Sequence, residues 1–200
     1  MNPRIAKAEA LLAAFAWDVA HGRQVRDLAV TLFDQLTALH NLGARERDLL
    51  DVAALLHDIG WTISHDKHHK HAYRLIRENQ QRLPGFTTAE VEWIANIARY
   101  HRKALPALKH EPFAALAAPD REIVRKLAAL LRVADGLDRP HRQEVQRVTC
   151  LVTDAAVTLR LQVRNNPAAH QAGGERKCDL FAQVFRRPLR VEASAGGMTG

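Results

Sequence analysis

Apolar positions in the first 144 residues recur at three- and four-residue steps, the period of helices that bury one face. Residues 4–17 are rich in Ala and Leu, with no breaker. Within 22–39, Val25, Leu28, Ala29, Leu32, Phe33, Leu36 and Leu39 form one stripe, which Asn41-Leu42-Gly43 ends. A third helix is expected over 45–58 and stops at Gly60, and a fourth over 68–79 precedes the Pro84-Gly85 turn. Thr87 with Glu90 reads as a capping box that opens a helix over 88–101. Residues 106–119 read as a loop. Asp120 is expected to cap a last long helix over 121–135, ended by Gly136.

Near residue 145 the period changes to two. Val148, Cys150 and Val152 alternate, Thr153-Asp154-Ala155 turns, and Val157, Leu159, Leu161 and Val163 alternate again, which predicts a hairpin. Residues 165–174 read as a loop, 175–185 as a short helix packed over the hairpin, and 189–191 as a third strand. The predicted fold is mainly α. A helical bundle over 1–144 precedes a small hairpin–helix–strand appendage over 145–192, and a disordered tail covers 193–200.

Composition narrows the class. The 200 residues are 47% hydrophobic and 26% charged, enough for a packed core. No apolar run reaches the roughly 20 residues a membrane span needs, and the first dozen residues lack a signal-peptide h-region. Cys150 and Cys178 form no CxxC pair, so a disulfide framework and a Cys-based zinc site are disfavoured, and a cytoplasmic location is expected. The net charge is +7 and there are eleven histidines. Residues 61–110 hold nine basic against four acidic residues. Basic charge among histidines points to an anionic ligand. No aromatic-interleaved basic motif appears, so nucleic acid is a poor fit.

The candidate chemistry lies in the helical part. His57-Asp58 follows the apolar run Val52-Ala53-Ala54-Leu55-Leu56, His21 opens an earlier helix, and Asp135 ends a later one after Val133-Ala134. A carboxylate directly after an apolar run belongs on the rim of a core. Two imidazoles and two carboxylates make a mixed N/O set that suits a divalent transition metal and leaves positions open for water.

His21, Leu55-Leu56-His57-Asp58-Ile59-Gly60 and Val133-Ala134-Asp135 together resemble the H…HD…D signature of HD-superfamily metal-dependent phosphohydrolases. More narrowly, the chain resembles the C-terminal region of the exopolyphosphatase / guanosine-pentaphosphate phosphohydrolase (Ppx/GppA) family. That likeness runs through Leu32-Phe33-Asp34-Gln35-Leu36, His68-His69-Lys70-His71, Leu83-Pro84-Gly85-Phe86, Arg99-Tyr100-His101-Arg102-Lys103 and Phe185-Arg186-Arg187-Pro188-Leu189. The resemblance implies a helical HD domain with His21, His57, Asp58 and Asp135 as ligands of a divalent Mn, Fe, Zn, Ni or Mg ion. It also implies His68 and His101 as candidates for a second ion. Full-length members carry an N-terminal actin-like phosphatase domain, which none of these residues resembles.

Lys67, Lys70, Arg102, Lys103, Arg139 and Arg142 flank these motifs and are the expected phosphate contacts. The expected activity is metal-dependent hydrolysis of a phosphorylated small molecule: a nucleotide, (p)ppGpp or polyphosphate. The alternative is a non-catalytic polyphosphate- or nucleotide-binding module, partnered by a separately encoded actin-like phosphatase domain. A homodimer is the remaining partner expectation.

Overall fold

A computed structural model describes residues 3–15 and 18–196. The helical part contains α1 (Pro3–Phe15), α2 (Val19–Gln35), α3 (Thr37–His40), α4 (Ala44–Leu56), α5 (His68–Glu78), α6 (Thr88–Arg99), α7 (Glu111–Ala114) and α8 (Ala118–Leu137), with short 3-10 turns at Ile59–Thr62 and Gln80–Arg82. Helix α4 runs through the centre. Residues 49–56 are all buried, and α1, α2, α6 and α8 pack around it. An all-round apolar helix is the one a bundle encloses. At about 1.5–3 kcal/mol for each fully buried Leu, Ile or Val, this helix anchors the core.

The helix boundaries depart from the apolar pattern where hydrogen bonding intervenes. The stripe expected over 22–39 breaks at Leu36, whose N–H reaches both the Leu32 and Phe33 carbonyls. The chain then makes the single turn α3 and ends at Asn41 in the left-handed region. Asp120 is no cap: α8 opens at Ala118 with Pro119 in its first turn, so Asp120 sits inside that turn near the positive end of the helix. The loop expected over 106–119 contains α7.

The sheet has order β1-β2-β3. Strand β1 (Val145–Val152) pairs antiparallel with β2 (Val157–Val163), and β3 (Leu189–Ala195) lies parallel to β2 on its other side. A parallel return needs a crossover. Helices α9 (Pro167–Glu175) and α10 (Asp179–Phe185) supply it. The loop expected over 165–174 is therefore α9, and the helix expected over 175–185 shortens to α10. Helix α9 packs on the sheet and on α8, whereas α10 packs on α8. Residues 193–195 of the expected tail belong to β3, and residues 197–200 lie outside the described residues.

Two close backbone approaches explain glycines that read as breakers. A Cβ on Gly60 would collide with the His68 carbonyl, so glycine lets the turn after α4 lie against the start of α5. A Cβ on Gly136 would stand 2.6 Å from the Gly173 carbonyl oxygen. Gly136 stays within α8 and permits backbone contact with α9, so it does not end the helix at the predicted place.

Candidate metal centre

Five helix ends converge. His21 lies in the first turn of α2, His57 and Asp58 directly follow α4, and His68 opens α5. His101 follows α6, and Asp135 sits in the last turn of α8. The carbonyl-bearing ends of α4, α6 and α8 all face this point, and the C-terminal ends of helix dipoles favour a cation. Asp18 accepts the His21 N–H at 2.9 Å and so caps α2 while placing His21.

Hydrogen bonding fixes the ring orientations. His57 Nδ1 lies 2.7 Å from the Ala54 carbonyl, His101 Nδ1 2.7 Å from the Ala98 carbonyl, and His68 Nδ1 3.1 Å from the His65 carbonyl. A carbonyl only accepts, so each Nδ1 carries the proton; the tautomer is inferred from the acceptor. His21 Nδ1 lies 2.9 Å from Asp138 Oδ2, again an acceptor. The Nε2 atoms of His21, His57 and His101 are thereby left as lone pairs turned inward, while His68, which turns Nε2 the same way, also has the Arg102 guanidinium 3.0 Å from both ring nitrogens.

These Nε2 atoms face carboxylates and one another. His21 Nε2 is 3.6 Å from Asp135 Oδ1 and 3.8 Å from Asp58 Oδ2. His57 Nε2 is 3.6 Å from Asp58 Oδ2 and 3.9 Å from Asp135 Oδ1. His68 and His101 place Nε2 3.2 and 3.4 Å from Asp58 Oδ1 and 3.3 Å from each other. The buried Nε2 atoms of His21 and His57 and the buried Oδ1 of Asp58 have no hydrogen-bond partner. Most of these spacings are long for a hydrogen bond. Two atoms each about 2.1 Å from one ion stand roughly 3–4 Å apart, so the spacings suit a shared cation.

Three groups have ligand atoms all within 4.8 Å of one another: His21–His57–Asp135, His21–Asp58–His141 and Asp58–His68–His101. Asp58 belongs to two of them, one oxygen to each, which is the arrangement of a carboxylate able to bridge two ions. The donor set and its orphaned atoms fit a divalent metal. The sequence candidates His21, His57, Asp58, Asp135, His68 and His101 are all brought together here.

Electrostatics lean the same way. Burial works against ionised Asp58, yet the surrounding imidazoles of His57, His68 and His101 hold its carboxyl well below the ordinary range. Asp135 is likewise held down despite burial, chiefly by Lys177, whose Nζ sits 2.6 Å from Oδ2. Burial pushes the His57 and His101 imidazoles down, so both remain neutral donors. His21 goes the other way. Burial opposes its charge, but Asp135 and Asp138 hold it up to about 10. A divalent ion beside it inverts that balance, because the ion becomes the largest local charge. Buried carboxylates demand a compensating cation.

The ligand cluster floors a cavity of about 230 Å³, whose rim includes Trp61, Arg102, Arg139, His141 and Lys177. The expected phosphate contacts divide. Arg102 and Arg139 line this cavity, whereas Lys67, Lys70 and Lys103 line a separate one of about 340 Å³. Arg142 is exposed and lines neither.

Residues 4–173 match the family model described as Ppx/GppA phosphatase, domain III. The chain belongs to the Ppx/GppA phosphatase family. It is similar to the guanosine-5'-triphosphate,3'-diphosphate pyrophosphatase of Aeromonas hydrophila, 33% identical over 156 residues, or 77% of this chain and 30% of the relative. The Aeromonas salmonicida protein of that name is 31% identical over the same shares, and the Photobacterium profundum protein 33% identical over 65% of this chain and 25% of its own length. The chain thus spans less than a third of the length of these family members.

Four residues of this family domain stand at the site beyond the ligands and phosphate contacts named from the sequence, two of them in the segment 138–142 that the sequence already placed beside the metal. Asp138 orients His21 and stands three residues past Asp135, on the same helix face, so the spacing was a usable signal. His141 stacks on His21 with ring centroids 3.6 Å apart and reaches Asp18 Oδ2 at 3.0 Å. Trp61 stacks on His68. Lys177 arrives from the connection between α9 and α10 and also donates to the His101 carbonyl at 3.0 Å. Nothing local in the sequence marks it.

Proposed function

We propose that this domain is an HD-type, metal-dependent phosphohydrolase acting on a phosphorylated small molecule: a nucleotide, (p)ppGpp or polyphosphate. The observation that carries this reading is the convergence of four inward Nε2 atoms on two half-buried carboxylates. His21, His57, Asp58 and Asp135 would hold one divalent ion. Asp58, His68 and His101 would hold a second. When bound, such an ion supplies a water acidic enough to ionise near neutral pH and polarises a phosphoryl oxygen.

The chain's own residues do the rest. Asp138 keeps the His21 Nδ1 proton in place, as a carboxylate behind a ligating histidine does. Arg102 and Arg139 offer planar donors to phosphoryl oxygens over the cavity floor. Lys177 holds Asp135 by Oδ2 and leaves Oδ1 turned to the histidines. Trp61 covers His68 and limits water around it.

The names of the relatives support a guanosine polyphosphate as the first substrate to test. Phosphate release from that compound and from polyphosphate, in manganese- or magnesium-loaded protein, should vanish in Asp58→Asn while the fold is retained. Release unaffected by Asp58→Asn would overturn the reading. A second reading, a phosphate-binding module without turnover, draws on the Lys177–Asp135 pair, which sets a permanent cation against one ligand. Loaded wild-type protein that binds these anions and releases no phosphate would favour it.

A further inference from the structure

The second cavity takes none of the metal ligands. Its lining combines Lys67, Lys70, Arg99 and Lys103 with His69 and Tyr100, beside a single carboxylate, Asp66. Its volume of about 340 Å³ falls in the range of small-molecule sites. Three of the four cations reach it from two separate elements: Lys70 on α5, Arg99 at the end of α6 and Lys103 just beyond it. Among the described residues, Lys70, Arg99 and Lys103 make no ion pair. Lys67 has only Asp66, at 4.0 Å. Arg99 lies over the Tyr73 and Tyr100 rings, which fix its guanidinium without neutralising it.

An independent observation marks the site as built for a ligand. His69 is only 9% exposed, lines this cavity, and has a buried Nδ1 without a hydrogen-bond partner. Buried polar atoms in a folded protein are almost always paired. A cluster of like charges around such an atom is costly unless an anion joins it. Two neighbouring residues, Lys67 and Lys103, hold the left-handed backbone conformation, with φ of 56° and 57°. At Lys67 this is the turn that opens α5.

We propose that this cavity is a second anion site, distinct from the metal centre, that takes a phosphorylated ligand carrying at least two phosphoryl groups. Four cations against one carboxylate call for more charge than one phosphate monoanion brings. The Lys70, Lys103 and Arg99 donors supply charge-assisted hydrogen bonds to phosphoryl oxygens. The site neighbours the metal centre through adjacent residues: His68 and Arg102 face one cavity, His69 and Lys103 the other. It does not depend on the metal centre being catalytic or occupied.

The test uses the full chain in excess chelator, so that no divalent ion supports phosphate binding at the first cavity. Inorganic pyrophosphate is titrated while backbone amide resonances are followed. The expected result is saturable shifts at residues 66–70, 99–104 and 110. Lys70→Gln/Lys103→Gln should weaken binding at least tenfold, and Arg139→Gln should leave it within twofold. Lys70→Glu alone, at an exposed position, serves if the double variant folds poorly, and should weaken binding at least as much. Absence of saturable binding, shifts confined to residues around Asp58 and Arg139, or unchanged affinity in the lysine variants would each overturn the proposal.

Discussion

At the scale of single residues, the ligand cluster depends on which nitrogen of each ring carries the proton. Asp138 imposes that choice on His21 as an acceptor only, and it also takes the Gln143 N–H at 2.9 Å. In Asp138→Asn the amide can donate to Nδ1 and drive the His21 proton to Nε2, where it points at the metal position. Divalent-metal affinity should fall about 10–100-fold, with thermal stability in chelator changed little. A metal titration of wild type and variant reads this, and equal affinities would contradict the tautomer argument. The candidate ligands His57, Asp58 and Asp135 were legible because they stand at the end of apolar runs, and His101 because it follows an amphipathic helix; His21 and His68, at helix starts, came from the family resemblance. Their orienting partners were not legible, since a hydrogen bond between residues 117 apart leaves no periodic trace.

Asp51 gives a residue-scale test of stability away from the site. It is 6% exposed on α4, its Oδ1 has no hydrogen-bond partner, and the Arg26 Nε stands 3.8 Å away. Burial raises its carboxyl to about 6, against which Arg26 pulls weakly. A folded-state value above the ordinary 3.8 means that the folded chain holds this proton more tightly than the unfolded chain. Stability from this group is therefore greatest below about pH 4 and is lost as pH rises toward and through 6, by up to about 3 kcal/mol. Asp51→Asn should be the more stable protein at pH 7 by about 1–3 kcal/mol, and the difference should shrink near pH 4. Urea unfolding of both proteins across that range checks it; a variant less stable at pH 7 would mean that the Arg26 contact outweighs the burial cost.

At the scale of elements, hydrophobic period placed the helices and the hairpin, and glycines misled. Gly136 read as a helix stop and Gly173-Gly174 fell in an expected loop, because sequence shows conformational freedom but not close approach. In the fold these glycines let α8 touch α9 and set Lys177 on Asp135. The parallel return of β3 was equally invisible, because pairing partner and direction are tertiary facts. Gly136→Ala tests the contact. Its new methyl must push α9 outward, which should cost roughly 1–3 kcal/mol and disturb Lys177. Chemical denaturation measures the first effect. Unchanged stability would show that α8 and α9 can separate freely.

At the scale of the whole molecule, five helix ends meet at one point, and each imposes its own cost through buried acids and unpaired nitrogens. A ligand that binds only the folded state repays that cost by mass action. At 100-fold excess over its dissociation constant it adds about 2.7 kcal/mol, which for a chain of this length corresponds to roughly 5–10 °C in Tm. Chelation should lower Tm by that amount, and re-addition of manganese or zinc should restore it. The bundle should remain folded without metal, because the core around α4 is closed by apolar packing, with Asp51 the one buried polar residue of that helix.

The most direct test of the metal centre is elemental analysis of the purified chain after metal loading and exhaustive dialysis, alongside Asp58→Asn and His57→Gln. The account predicts one to two divalent ions per wild-type chain and less than about a tenth of that in either variant, with all three proteins folded. Folded, metal-loaded wild-type protein that retains no divalent ion, or variants that retain as much as wild type, would contradict it.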